Sequence, residues 1–279
     1  MARIRKLVAA LSRSGPHRVL RGDLAFAGLP GVVYTPEEGL NLPGVAFGHD
    51  WLAGAARYSN LLEHLASWGI VAGAPDTQRG VAPSVLNLAF DLGTALDIVS
   101  GVRLGPGKIS VHPAKLGVAG HGFGGSAAVF AAAGMPAKPA AVAAIFPSVT
   151  SPPAQQPAAT LKVPGVIFTA PGDPKSLNSN ASALADVWDA ATLRIVSKAE
   201  SGGLVEGRRL TKVLGLAGPH RRTQRSVRAL LTGYLLYTLG GDKKYRDFAD
   251  PEVHLPGTDA IDPEAEAIPL EDKIVALLK

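Results

Sequence analysis

The segment Gly120-His121-Gly122-Phe123-Gly124-Gly125 lies where an apolar, strand-like run (115–119) meets an alanine-rich, helix-like run (126–133). Strand, tight glycine-rich turn and helix are the setting of the G-x-S-x-G turn, whose central serine is presented as a nucleophile. Here the central residue is Gly122, which has no side chain. Two later residues fit the rest of that chemistry. Asp173 ends the run GVIFTAPGD, and His220 ends GLAGPH, immediately before an amphipathic segment. In the order nucleophile, acid, histidine, Asp173 would hold the imidazole tautomer and His220 would take a proton from the nucleophile. Only the attacking atom is missing. Glycine suits the position, because such a turn strains a non-glycine residue by ~1–3 kcal/mol and glycine relieves that strain. Loss of the serine therefore stabilises the turn while removing covalent catalysis.

Neighbouring groups are poor substitutes. Ser126 lies one helical turn further on, so its hydroxyl is expected to point along the helix. His121 is expected behind the turn, whereas a nucleophile and its base must lie within hydrogen-bond reach. His49, Asp50 and His121 follow no metal-ligand spacing. The glycine run lacks the Walker lysine and does not fit the dinucleotide spacing. No metal or cofactor is expected.

The elements that must position these residues alternate. Strands are expected over 24–29, 32–35, 44–50, 70–76, 115–121, 140–147, 165–173, 192–198 and 210–218, and helices over 56–68, 83–99, 124–134 and 180–190. A last helix follows His220. Its stripe of Val227, Leu230, Leu231, Tyr234, Leu235 and Thr238 is a core face, and Arg221, Arg225 and Arg228 form a solvated one. The proline- and alanine-rich stretch 151–160 reads as a surface loop. This order predicts an α/β fold with a mostly parallel central sheet flanked by helices on both faces.

Four segments in that order, HLASWGIVAGAPDT (64–77), KLGVAGHGFGGSAA (115–128), KVPGVIFTAPGD (162–173) and GPHRRTQRSVRALLTGYLLYTLGGDKKYRDF (218–248), resemble the α/β-hydrolase superfamily. Within it they are most similar to the bacterial cutinase, polyester-hydrolase and dienelactone-hydrolase-like group. The resemblance runs from about residue 25 to about residue 250. It implies that Gly122 stands at the nucleophile position and that Asp173 and His220 are acid and base, hydrogen-bonded to each other. It also implies that Phe123 offers one oxyanion N–H and that the loop after Gly48 offers the other, with Trp51 at the aromatic clamp position. Two departures adjoin the pocket. Asp50 replaces a small glycine, where a carboxylate opposes the charge that develops in acyl transfer, and Ser148 replaces an aromatic wall.

The ends of the chain differ in charge. Residues 1–22 carry six basic and no acidic side chains, and residues 251–279 carry seven acidic and two basic ones, within a net charge of +5 over 279 residues. The chain divides into a basic segment (1–22), an α/β-hydrolase domain (23–250) and an acidic tail (251–279), the tail expected to be dispensable for folding. Its acids, with a short helix over 263–278, are candidates to cover a basic patch around Arg208, Arg209, Arg221 and Arg222. Without cysteine, disulfides and thiolate chemistry are excluded. No signal sequence or membrane span is evident. Ile4, Leu7, Val8 and Leu11 share a helical face, which fits either a docked terminal helix or contact of residues 3–13 with an anionic membrane surface. The expected location is cytoplasmic, with peripheral membrane contact left open. A small hydrophobic or ester-like ligand is expected, and no nucleic acid. The leading reading is a binding or regulatory module of hydrolase ancestry without hydrolytic activity. The alternatives are an ester hydrolase whose nucleophile was replaced, a lyase- or oxygenase-like enzyme using His220 and Asp173 as a general base, and a membrane-associated scaffold.

Overall fold

The computed structural model describes residues 2–173, 176–207 and 218–260. Nine strands among them are β1 (Val19–Asp23), β2 (Gly31–Pro36), β3 (Gly39–Gly48), β4 (Val71–Pro75), β5 (Ile109–His121), β6 (Ala141–Ile145), β7 (Gly165–Thr169), β8 (Ala191–Val196) and β9 (Thr258–Asp259). The α-helices are α1 (Ala2–Leu11), α2 (Ser59–Ser67), α3 (Val85–Gly101), α4 (Phe123–Gly134), α5 (Gln155–Ala158), α6 (Ala181–Ala185) and α7 (Arg221–Thr238). The strands form one sheet in the order β1-β2-β4-β3-β5-β6-β7-β8-β9. From β4 through β8 every neighbouring pair is parallel, and the pairs at the two ends are antiparallel. This is an α/β fold.

β4, β6, β7 and the C-terminal halves of β3 and β5 are buried because helices cover both faces there. Alternate side chains point to opposite faces. Val45 and Phe47 of β3 pack with α1, α2 and α7, while Ala46 packs with α3 and α4. The stripe of α7 facing the sheet includes Val227, Leu230, Leu231, Tyr234 and Leu235, all buried. Ile4, Leu7 and Leu11 of α1 are also buried in the layer that holds α7. The apolar face of α1 is therefore spent on the protein, as in a docked terminal helix. No helix among the described residues is long and apolar enough to cross a membrane.

Several local expectations change. Residues 24–29 do not form a strand. Asp23 Oδ1 accepts from Ala25 N–H at 2.9 Å and starts a 3-10 turn over Leu24–Ala27, ended by Gly28 in the left-handed region. The strand at that edge is β1, which lies mostly inside the basic segment. The helix expected over 180–190 shortens to α6, and the loop at 151–160 contains the single turn α5. Residues 251–260 belong to the folded unit, beyond the expected boundary at 250. Leu255 is buried, β9 pairs with β8, and Arg194 donates to the carbonyls of Val253 (2.7 Å) and Asp250. Apart from Gly218, the strand expected over 210–218 lies outside the described residues, as do Arg208, Arg209 and the helix expected over 263–278.

Candidate functional site

The β5–α4 turn is as tight as its glycines require. A Cβ on Gly124 would sit 2.2 Å from the carbonyl oxygen of Gly48. That close approach brings the end of β3, with Asp50 just beyond it, against the start of α4. Gly122 has φ 55° and ψ −117°, a combination that side-chain-bearing residues adopt only under strain. Its N–H donates to Ile145 O at 2.9 Å, and its carbonyl accepts from Ser148 N–H at 3.1 Å. The turn is thus pinned to the end of β6 and the loop after it.

Asp50 occupies the space in front of this turn. Its Oδ1 accepts from Trp51 N–H at 2.8 Å and from Phe123 N–H at 2.9 Å. A Cβ built on Gly122 would lie 2.0 Å from the same oxygen. Phe123 is the first residue of α4, whose N-cap, Gly122, supplies no side-chain cap. The carboxylate therefore caps α4 from a residue 73 positions away in the chain. The helix end favours it doubly, through an unpaired N–H and the positive end of the macrodipole. Two N–H groups converging on one oxygen can stabilise a developing oxyanion. Here that oxygen belongs to the protein.

A hydrogen-bond chain holds the loop of Asp50 in place. Asp50 N–H donates to Tyr58 Oη at 3.0 Å, and Tyr58 Oη lies 2.8 Å from His121 Nδ1. His121 Nε2 lies 2.7 Å from Ser201 O. A carbonyl only accepts, so Nε2 carries the proton and Nδ1 accepts from Tyr58. Burial, and then the charge of Asp50, push the phenol of Tyr58 well above its ordinary pKa, which keeps it a donor. His121 sits edge-on to Tyr58 and Phe146. Separately, Glu206 accepts from Asn60 N–H (2.9 Å), Asn60 Nδ2 (2.7 Å) and Leu61 N–H (3.1 Å) at the start of α2, the helix that follows Tyr58. Burial pushes the Glu206 carboxyl up, against those donors, which pull it down.

Asp173 and His220 are engaged separately. Asp173 is buried, and its Oδ2 accepts from Ala170 N–H at 2.8 Å and Thr169 Oγ1 at 3.3 Å. His220 Nδ1, the atom that an acid partner would hold, lies 2.8 Å from Thr223 Oγ1. His220 also packs against Gly203, where an added Cβ would come within 2.6 Å of its own Cβ. The expected hydrogen bond between Asp173 and His220 is absent. Each side chain has found a partner nearer in sequence, which satisfies the same buried-polar requirement at a lower ordering cost.

In front of Gly122 is a pocket of about 150 Å³ lined by Asp50, His121, Phe146, Ser148, Asp173, Ser176, Asn178, Ser179, Ser201 and Gly202. Gly122, Asp50, Ser148 and Asp173 meet here. His220, Trp51 and Phe123 do not line it, and Trp51 is half exposed, with Nε1 on Val81 O at 3.2 Å. Ser126 is fully buried and donates to Ser148 O at 2.5 Å, so it does not face the pocket. His49 has both ring nitrogens on carbonyl oxygens, Asp50 O at 2.9 Å and Thr77 O at 2.6 Å, and neither is free to hold a metal. Among the described residues no group of three His, Cys, Asp or Glu is placed to bind a metal ion. Sequence reasoning missed Tyr58, Thr223, Ser201 and the polar loop Ser176–Ser179. The three-residue spacing from His220 to Thr223 at a helix start was the one usable signal among them. Compared with known proteins, the chain matches no protein-family model and no curated sequence.

Proposed function

We propose that this chain is a non-hydrolytic protein of α/β-hydrolase type, a binding or regulatory module whose pocket holds a small ligand without covalent chemistry. The carrying observation is Asp50 Oδ1 on the N–H groups of Trp51 and Phe123. A substrate oxyanion needs those donors, and a fixed carboxylate already takes them. The same oxygen fills the space where a side chain at 122 would begin. Glycine at 122 and aspartate at 50 are thus mutually adapted, which argues against a working hydrolase that has merely lost its serine. The general-base reading is also disfavoured, because His220 Nδ1 is turned to Thr223.

The lining changes the expected ligand. Ser148, Ser176, Asn178, Ser179 and two carboxylates make the pocket polar, which suits a small hydrogen-bond donor better than a hydrophobic ester. The test is incubation with short-chain p-nitrophenyl esters and a fluorophosphonate probe. The expected outcome is neither turnover nor labelling above a heat-denatured control. Covalent labelling of any residue in the folded protein overturns the reading.

A further inference from the structure

On the face away from α4, helices α1 and α7 enclose a groove of about 710 Å³, within the roughly 300–1,000 Å³ span of small-molecule sites. Its walls carry Arg5 from α1, Ser12 just after that helix, and Arg221, Arg222, Arg225 and Ser226 from α7. Ala9, Ala229 and Gly257 add little side-chain volume to its lining, and among the described residues no acidic one lines it. Among the described residues, none of the four arginines makes a salt bridge.

The placement of these charges is unfavourable for the helix that carries most of them. α7 has 18 residues, and its first turn contains no acid. Its N-cap, His220, makes no capping hydrogen bond through its side chain. Three arginines instead crowd the first five positions, at the positive end of the macrodipole. Arg221 and Arg225 also repel as an i,i+4 pair. Nothing in the packing of α7 requires them, since all three side chains are exposed and the buried stripe lies on the other face. A bound dianion would reverse each of these unfavourable terms at once. Guanidinium forks match phosphate oxygens in pairs, and the positive end of the α7 macrodipole acts with the same polarity.

We infer that the α1–α7 groove binds a phosphate-bearing molecule. The site is separate from the Gly122 pocket and does not depend on the function proposed for it. The phosphate can be that of a soluble metabolite or of a lipid headgroup, and the groove's chemistry is common to both. The apolar face of α1 is buried, so any contact with a lipid surface would run through the arginines rather than by insertion.

The test uses the full chain. Pyrophosphate is titrated at constant ionic strength while thermal unfolding is followed, and sedimentation is measured with vesicles of phosphatidylcholine with and without phosphatidic acid. Pyrophosphate is expected to raise the melting temperature by mass action. Arg222→Gln/Arg225→Gln is expected to weaken the response at least tenfold, while melting no lower than the parent when unliganded, because repulsion has been removed. Arg103→Gln, outside the groove, should respond like the parent. Should the double variant fail to fold, Arg5→Gln, on the opposite wall, must show the weakened response. Sedimentation with phosphatidic acid vesicles that depends on Arg225 assigns the phosphate to a lipid headgroup; its absence alongside a pyrophosphate response assigns it to a soluble ligand. The inference is overturned if neither arm responds, or if the responses are the same in the groove variants and in Arg103→Gln.

Discussion

Gly122→Ser probes the packing of the turn against Asp50 directly. The serine would adopt φ 55° and ψ −117°, a strain of about 2 kcal/mol. Its Cβ would meet Asp50 Oδ1 at 2.0 Å, so the carboxylate must leave the N–H groups of Trp51 and Phe123. Hydrogen bonds to a charged group contribute about 1.5–3 kcal/mol each. The Asp50 side chain is 26% exposed, and water recovers part of that loss, leaving about 2 kcal/mol for the pair. The total is about 4 kcal/mol, or a fall of roughly 8–16 °C in melting temperature at ~2–4 °C per kcal/mol. Asp50→Ala alone removes the same hydrogen bonds and costs about 2 kcal/mol. In the double variant the carboxylate is already gone, so only the strain is added and the sum stays near 4 rather than 6 kcal/mol, a coupling of about 2 kcal/mol. Denaturant unfolding of the four proteins measures this cycle, and ester hydrolysis is read in parallel. Gly122→Ser should show no turnover above background. The double variant should show faint turnover, because no carboxylate remains beside the freed donors to oppose an oxyanion, while His220 still faces Thr223. Strict additivity of the stabilities, or robust hydrolysis by Gly122→Ser alone, would refute the reasoning.

Three further outcomes are expected. Burial, aided by the charge of Arg228, lowers the pKa of His64 from 6.5 to about 4; the unfolded chain then binds a proton that the folded one refuses, so stability should fall as pH drops from about 6.5 to about 4, by at most ~3 kcal/mol. His64→Leu, which also removes a buried ring nitrogen without a partner, should flatten that segment of a pH-stability profile measured by urea unfolding. Thr223→Val should lower stability by ~1–3 kcal/mol in the same assay, since the hydroxyl serves both Glu200 N–H and His220 Nδ1 from a fully buried position. Ending the chain after Asp250 removes β9 and the buried Leu255, whose truncation to alanine alone should cost ~2–5 kcal/mol; calorimetry should show the shortened chain losing its cooperative transition, and an unchanged melting temperature would show that this edge is an accessory.

Much of the architecture follows from local pattern. Short apolar runs such as 44–48, 71–75 and 141–145 have no way to satisfy their surroundings except as strands covered on both sides, and the 3.6-residue stripe of α7 requires a core to face. The absence of a nucleophile at 122 is equally local, since glycine has no atom to offer. The edges of the sheet were less legible. β1 and β9 are short and polar, and they exist because a neighbouring strand supplies the pairing that their own composition does not demand. The identity of Asp50, beside the position where the hydrolase resemblance expects oxyanion-binding N–H groups, announced a conflict of charge in the sequence. Only the tertiary structure decided how the conflict is settled. The approach of Gly124 to Gly48 brings two distant loops together, and at that junction the carboxylate finds two N–H donors and the space left by a missing side chain. The same holds for His220, whose ring has Thr223 within reach one helical turn away, while Asp173 is held by the backbone of its own loop. Chain order placed acid and base correctly for a triad, but a hydrogen bond is decided by which partner lies at about 2.8–3.0 Å once the chain has packed, and packing chose the nearer ones.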